Sequence, residues 1–297
     1  MTVIRSIVVP IDGSAFSLQA LPAALGIVVA AGGSLHLLYV QAAAAPGFDA
    51  PHAGETSAAI ERLLQDLAAT LRKRWKVEVT VAVRQGRPAE AIAAFSSQTG
   101  AGLIALTTHG RGGLSRLWLG SVADELLRAS EVPVLAIRPT RHVAAGPRPR
   151  RFRRVLVPLD GTDLAERALS SVSGVIRGVG GRVTVVRVIT PHRTIARPAP
   201  VTRIDQVDLA RQRQEAEDYL KGVVVRLQRD GLRASWRILS SPDPARAIIR
   251  AAAAADVIAM TTHRQGRVAR FLRGSVCDKV LRGATGAAIL LTRPAGA

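Results

Sequence analysis

Three short segments of the chain carry residues suited to gripping a polyanion. Pro10-Ile11-Asp12-Gly13 sets a carboxylate directly after an apolar run, and Tyr39-Val40 closes a second such run. Thr107-Thr108-His109-Gly110-Arg111-Gly112-Gly113, followed by Leu119-Gly120-Ser121, is a glycine-rich loop that leads into an amphipathic stretch. Glycines leave backbone N–H groups open to phosphate oxygens, and a helix N-terminus adds the positive end of its dipole. Ser121 with Asp124 three residues later reads as a helix N-cap. Asp12 is placed to hydrogen-bond a ribose hydroxyl or to hold a metal ion. Glycine-rich turns before helices also occur in α/β folds simply to make the turn, so these residues need further support.

The signatures of nucleotide-consuming enzymes are missing. There is no G-x-x-x-x-G-K-[ST] loop, no G-x-G-x-x-G after the first apolar run and no G-x-S-x-G elbow. His-x-Gly-His, used by adenylyl-transferring relatives of this architecture, is absent too. Binding is better supported than turnover.

The elements that would position these residues come twice. Ile7-Val8-Val9-Pro10-Ile11-Asp12-Gly13 returns as Val155-Leu156-Val157-Pro158-Leu159-Asp160-Gly161, and Leu106-Thr107-Thr108-His109 as Met260-Thr261-Thr262-His263. Leu119-Gly120-Ser121-Val122 returns as Arg273-Gly274-Ser275-Val276, and Pro88-Ala89-Glu90-Ala91-Ile92 as Pro244-Ala245-Arg246-Ala247-Ile248. The order is preserved, so each half is a complete copy. Short β-branched runs alternate with longer amphipathic stretches, the pattern of a parallel sheet covered by helices on both faces. Strands are expected at Ile4–Pro10, Ser34–Val40, Val77–Arg84, Leu103–Thr108 and Val132–Arg138, with helices at Ser14–Ala31, Glu55–Arg74, Pro88–Ser97 and Ser121–Ser130. The second copy yields strands at Arg154–Leu159, Arg182–Ile189, Ala234–Leu239, Val257–Thr262 and Ala287–Thr292. The fold class is therefore α/β: two tandem five-stranded parallel-sheet domains, residues 1–139 and 153–297. Residues 140–152, rich in Pro and Arg, read as an exposed, rather stiff linker.

Composition sets the bounds. The chain has 297 residues, 48% of them apolar, which excludes an intrinsically disordered chain. Aromatics are only 3%, so Ala, Val, Leu and Ile must build the cores. The formal charge is +19, yet only four of 41 basic residues are lysine, and that arginine skew makes charge a weak argument for nucleic acid. Cys277 is the single cysteine, which excludes an internal disulfide and fits a reducing compartment. The N-terminal run lacks a basic leader and cleavage site, and Ala20–Ala31 is too short to span a bilayer; a cytoplasmic protein without membrane insertion is expected.

Two copies of this unit, the first opening with V-V-P-I-D-G-S, containing L-T-T-H-G-R-G-G-L-S-R-L-W-L-G-S-V and ending with V-P-V-L-A-I-R-P, resemble a tandem-domain universal stress protein. The resemblance covers nearly the whole chain and implies a Rossmann-like fold of the adenine nucleotide alpha hydrolase-like kind. Nucleotide-binding members carry G-x2-G-x9-G-[ST]; Gly110 and Gly120-Ser121 match its second half, and Thr107 replaces its first glycine. The resemblance implies ATP, with Mg as a companion, as the ligand. Pro10, Asp12 and Val40 would hold adenine and ribose, Val40 through its backbone, and Thr107, Gly110, Arg111, Gly120, Ser121 and Val122 would line the phosphates. In the second copy Asp160, Val188, Gly274, Ser275 and Val276 match. Thr261 and Arg264 replace the first two glycines there, leaving that site either occluded or reshaped to pair arginine with phosphate.

Other residues have plainer readings. His109 and His263 read as loop braces, Cys277 and the three tryptophans as packing, and the Arg148–Arg154 cluster as a solvated connector. The expected function is a nucleotide-responsive stress-response regulator; slow ATP hydrolysis, for which no general base is evident, and charge-driven nucleic-acid binding are the alternatives. The fifth strand of each copy should lie at a sheet edge, which is most readily covered by its counterpart. An internal pseudo-dimer is expected, and the resemblance allows homodimers of whole chains.

Overall fold

Runs that are apolar on both strand faces become buried central strands, and the amphipathic stretches between them supply the cover. The computed structural model describes residues 2–42, 53–108, 120–140, 147–191, 203–261 and 276–293. The first copy comprises β1 (Ser6–Pro10), a 3-10 turn (Ser17–Ala20), α1 (Leu21–Ala31), β2 (Ser34–Gln41), α2 (Ala53–Trp75), β3 (Glu78–Gln85), α3 (Pro88–Gln98), β4 (Leu103–Thr107), α4 (Ser121–Ala129) and β5 (Val134–Ile137). The second comprises β6 (Arg154–Pro158), α5 (Asp163–Glu166), α6 (Ala168–Val179), β7 (Arg182–Ile189), α7 (Arg203–Arg229), β8 (Arg233–Ser240), α8 (Pro244–Ala252), β9 (Val257–Thr261), α9 (Val276–Gly283) and β10 (Ala288–Thr292).

All ten strands join one sheet in the order β3-β2-β1-β4-β5-β10-β9-β6-β7-β8. Pairing is parallel inside each copy, as between β1 and β4 or β6 and β9, and antiparallel at the centre, where Leu135 of β5 faces Leu290 of β10. The period of two along each strand splits the core. Ile7 and Val9 join Leu135, Leu290 and the apolar sides of α1, α2, α6 and α7 on one face. Val8 and Ile104 join α3, α4, α8 and α9 on the other. No helix among the described residues is long and apolar enough to cross a membrane.

Several boundaries differ from expectation for physical reasons. Residues Ile4 and Arg5 do not extend β1; the Ile4 N–H donates across the seam to the Gly174 carbonyl of α6 (2.9 Å). The stretch after Gly13 is not one helix. Pro22 starts α1 near its first position, where a missing N–H costs nothing, and Ser17–Ala20 forms the 3-10 turn before it. The end of the connector is anchored rather than free, although Arg148 and Arg151 stay exposed. Phe152 is 0% accessible, and the Arg150 N–H donates to the Pro22 carbonyl (2.7 Å) while its Nη2 donates to the Gly286 carbonyl (3.1 Å). The connector passes so close to α1 that a Cβ on Gly26 would sit 1.7 Å from the Arg150 carbonyl oxygen. Burying Phe152 contributes about 1.5–3 kcal/mol, so this segment is held as part of the core.

Candidate functional site

Strand order reverses between β1 and β4 in the first copy and between β6 and β9 in the second. In open α/β sheets such a reversal at the carboxyl edge is where ligands bind, and it defines one crevice in each copy.

The first wall is the turn after β1. Pro10 ends the strand, and the Ile11 N–H donates to the Leu38 carbonyl (2.8 Å). Asp12 is half-buried, and its Oδ1 accepts from the Ser14 N–H (2.9 Å) and the Ser14 hydroxyl (2.6 Å). The Asp12 N–H donates to Ser17 Oγ (3.3 Å). This is an Asx-type turn: the carboxylate shapes its own loop and is fixed in direction. Asp160 repeats it, its Oδ1 accepting from the Thr162 N–H (2.9 Å) and hydroxyl (2.6 Å), but Asp160 is exposed.

The second wall is the end of β2. In a parallel ladder the N–H and C=O of one residue point to the same side, and the side alternates. Leu38 points its carbonyl at β1 and Gln41 points its own at β3, where it accepts from the Gly86 N–H (3.0 Å). Val40 therefore aims both polar backbone groups toward the β1 side, beyond Pro10 where β1 has ended. The second copy repeats this parity: Val186 accepts from the Leu159 N–H (2.8 Å) and Ile189 from the Ser241 N–H (3.1 Å), so Val188 faces the gap past β6. A donor beside an acceptor on one rigid strand matches a flat ring that carries an acceptor beside an amino group.

The third wall follows β4. Buried Thr108 donates its N–H to the Ile137 carbonyl (2.9 Å) and accepts from the Gly120 N–H (2.6 Å) at its own carbonyl. Thr108 and Gly120 are thus tied together, which sets the start of α4 at the end of β4, where Thr107 is half-buried. The N-cap is Gly120, not Ser121: its backbone is extended (φ −67°, ψ 160°) and its carbonyl accepts the Asp124 N–H (3.0 Å). Glycine offers no capping side chain, so the N-cap residue itself leaves the first-turn N–H groups of α4 without a side-chain cap. Ser121 and Val122 are exposed there. Val276 takes the place of Val122 at the start of α9 and has the same exposure, 38% against 37%. Thr261, equivalent to Thr107, is buried, and its Oγ1 has no hydrogen-bond partner. Gly110, Arg111, Gly274 and Ser275 lie outside the described residues, as do His109, His263 and Arg264.

Of the described histidines, His36 is no candidate base for this crevice. It sits four residues before Val40 on β2, about 13 Å back along the strand, bonded to Ser6 Oγ (2.9 Å) and Thr80 Oγ1 (2.7 Å). Burial lowers its pKa, with Glu78 opposing, which favours the neutral ring. Among the described residues no group of three or more His, Cys, Asp or Glu could hold a metal ion. Cys277 is half-buried against the α8–α9 core, in keeping with packing.

One side chain at the second crevice was not singled out from sequence. Aligning β2 with β7 places Arg187 where the first copy has buried Tyr39, a cation in a strand position that is otherwise apolar. Its guanidinium lies close to Gly161, whose φ of +92° favours glycine; a Cβ there would stand 3.2 Å from Nη1, 3.3 Å from Cζ and 3.4 Å from Nη2. Arg187 also stacks on Tyr219 of α7, with Cζ 5.4 Å from the ring centroid. Burial and then the neighbouring Glu166 carboxylate push the Tyr219 phenol upward, and Glu166 itself pairs with Arg226 (2.5 Å).

Comparison with known proteins agrees with this repeat structure. A solved universal stress protein of Archaeoglobus fulgidus superimposes with a TM-score of 0.69 at 23% identity, over 97% of this chain and 96% of that one. At that identity the likeness speaks to the fold. A universal stress protein of Methanocaldococcus jannaschii is 31% identical over 140 residues, 45% of this chain and 82% of the relative. One from Mycobacterium tuberculosis is 27% identical over 192 residues, 61% of this chain, and the match spans only 59% of that relative's length. The model of the universal stress protein family matches residues 4–138 and again 151–290, and the chain belongs to that family.

Proposed function

We propose that the first crevice binds an adenine nucleotide, ATP with Mg2+, and that the bound nucleotide regulates conformation or partner binding. The observation that carries this reading is Val40, whose backbone N–H and C=O face the gap at the strand-order reversal between Asp12 and the N-terminus of α4. Adenine presents the complementary acceptor and amino group in one plane. Asp12, held by Ser14, is oriented for ribose hydroxyls, and Ser121 and Val122 at the start of α4 offer backbone N–H groups to phosphate, while Gly120, whose own N–H is taken by the Thr108 carbonyl, puts no side chain in the way. These residues fit the nucleotide. With no acidic cage among the described residues, the metal would rest mainly on phosphate oxygens and water.

The antiparallel β5–β10 pairing supports reading the two copies as an internal pseudo-dimer, with the nucleotide crevices on either side of a shared seam. Membership of the family supports reading the protein as a stress-response ligand sensor that works in the cytoplasm. Mass spectrometry of nucleotide released from the purified protein tests the reading. ATP retained without conversion to ADP supports it. Absence of any adenine nucleotide, with no binding on titration, contradicts it, and steady ADP formation would move the protein to the ATPases.

A further inference from the structure

The two crevices share a backbone frame and differ in one half-buried charge. Arg187 is half-buried at the carboxyl end of β7, immediately before Val188 and beside the turn that carries Asp160. Three of its guanidinium atoms, Nη1, Cζ and Nη2, lie at nearly equal distances, 3.2–3.4 Å, from where a Cβ on Gly161 would stand, so the flat face of the group rather than an edge is turned toward the turn and the missing Cβ leaves room for it. The Tyr219 ring engages the same cation. A planar cation whose faces are stacked directs its N–H donors outward in its own plane, the geometry that suits a phosphate fork. Among the described residues no carboxylate lies within ion-pair distance of Arg187; the nearby Glu166 is committed to Arg226. Asp160 Oδ1 is occupied by both donors of Thr162.

We propose that Arg187 makes the second crevice selective for an adenine nucleotide phosphorylated on its ribose, at the 2′ or 3′ oxygen. The inference rests on the nucleotide reading above, extended to the second copy. If Val188 reads the base and the Asp160 turn meets the ribose, an additional ribose phosphate arrives beside Arg187. In dinucleotide-binding α/β folds an arginine near the ribose-binding carboxylate position plays this part toward a 2′-phosphate. The first crevice has Tyr39 at the same place, inside the apolar core, and offers no such charge.

The test uses the full-length chain with the first crevice closed by Gly120→Glu. Calorimetric titration compares 5′-AMP, adenosine 2′,5′-bisphosphate, adenosine 3′,5′-bisphosphate and inorganic pyrophosphate. One of the bisphosphates is expected to bind about tenfold to a hundredfold tighter than 5′-AMP, the range of a charge-assisted hydrogen-bond pair. Arg187→Gln should erase that preference and Arg187→Lys should keep part of it, both with a thermal transition close to that of the parent. Equal affinity for 5′-AMP and both bisphosphates overturns the proposal. So does a preference that survives Arg187→Gln, or pyrophosphate competing as well as the bisphosphates, which would make this a plain anion site. If the unmodified chain binds ATP and the Gly120→Glu chain binds no adenine compound, this inference fails while the first-crevice reading stands. If the unmodified chain binds no ATP, the proposed function fails with it.

Discussion

After β1 the Asp12-Gly13-Ser14 turn runs through a short 3-10 turn into a helix whose N-cap makes no side-chain bond. After β6 the matching Asp160-Gly161-Thr162 turn enters α5 directly: Thr162 Oγ1 caps it by accepting from the Ala165 N–H (3.2 Å), and Glu166 ties it to Arg226 of α7. The backbone frame is the same, since Val40 and Val188 face equivalent gaps. The furnishing is not. Both turns are braced by their own side chains, but the second leads straight into a helix and carries a cation in its wall, and the segment after β9 has Arg264 where the first copy has Gly110. Duplication preserved the hydrogen-bond parity that defines a crevice and left side chains free to diverge in what each crevice admits.

That contrast depends on the seam that makes the two copies one body, and breaking it gives the largest effect. Leu135 and Leu290 face each other across β5 and β10 in the apolar core. Replacing both with Lys buries two charges without partners, a cost of several kcal/mol. Domain separation should follow, with a larger radius in small-angle scattering and faster proteolysis at Arg148–Arg154. Unchanged compactness and cleavage would mean that the copies do not depend on this pairing.

Next comes the connector. Phe152→Ala should destabilise by about 3–5 kcal/mol, read as a lower denaturant midpoint, because its ring is fully buried. An effect near that of an exposed substitution would return the segment to a loose tether. Gly26→Ala should also destabilise, because the added Cβ would overlap the Arg150 backbone carbonyl and force α1 and the connector apart. Gly222→Ala, with nothing within 4 Å on α7, is the control and should stabilise by about 0.5–1 kcal/mol. If both alanines behave alike, the connector does not bear on α1.

The smallest effect is electrostatic. Burial by itself raises the Asp256 carboxyl, but the N–H groups of Arg153 and Arg154 and the Arg154 guanidinium outweigh it, and its pKa lies below the ordinary value. Its contribution is therefore present above the unfolded pKa, about pH 4, and is lost as pH falls through the lower folded value. The first copy has Gly102 in the comparable place, whose N–H donates to the Ser6 carbonyl (3.0 Å), so only the second copy should lose support in acid this way. Asp256→Asn should flatten the fall in stability below about pH 4; an unchanged acid limb would contradict the assignment.

Much of this frame was legible in the residues. The repeated V-V-P-I-D-G and T-T-H blocks located the strand ends, because buried parallel strands must be apolar on both faces and stop at polar turns. The start of α4 at Ser121 was legible, but its N-cap is Gly120 rather than Ser121, since a serine looks like a cap and only the backbone angles at Gly120 reveal which residue is extended. Phe152 was read with its arginine-rich neighbours, and composition does not report that one ring in a polar run finds a core. Arg187 was passed over because its strand reads as ordinary β sequence until β2 is laid beside it.

The central claim is that the first crevice is the tighter nucleotide site, and calorimetry with ATP on Gly120→Glu and Gly274→Glu full-length variants tests it most directly. Gly120→Glu places a carboxylate where α4 would receive phosphate and should remove most ATP binding, while Gly274→Glu should leave it largely intact. Loss of binding with Gly274→Glu and little change with Gly120→Glu would contradict the account and reverse the two crevices.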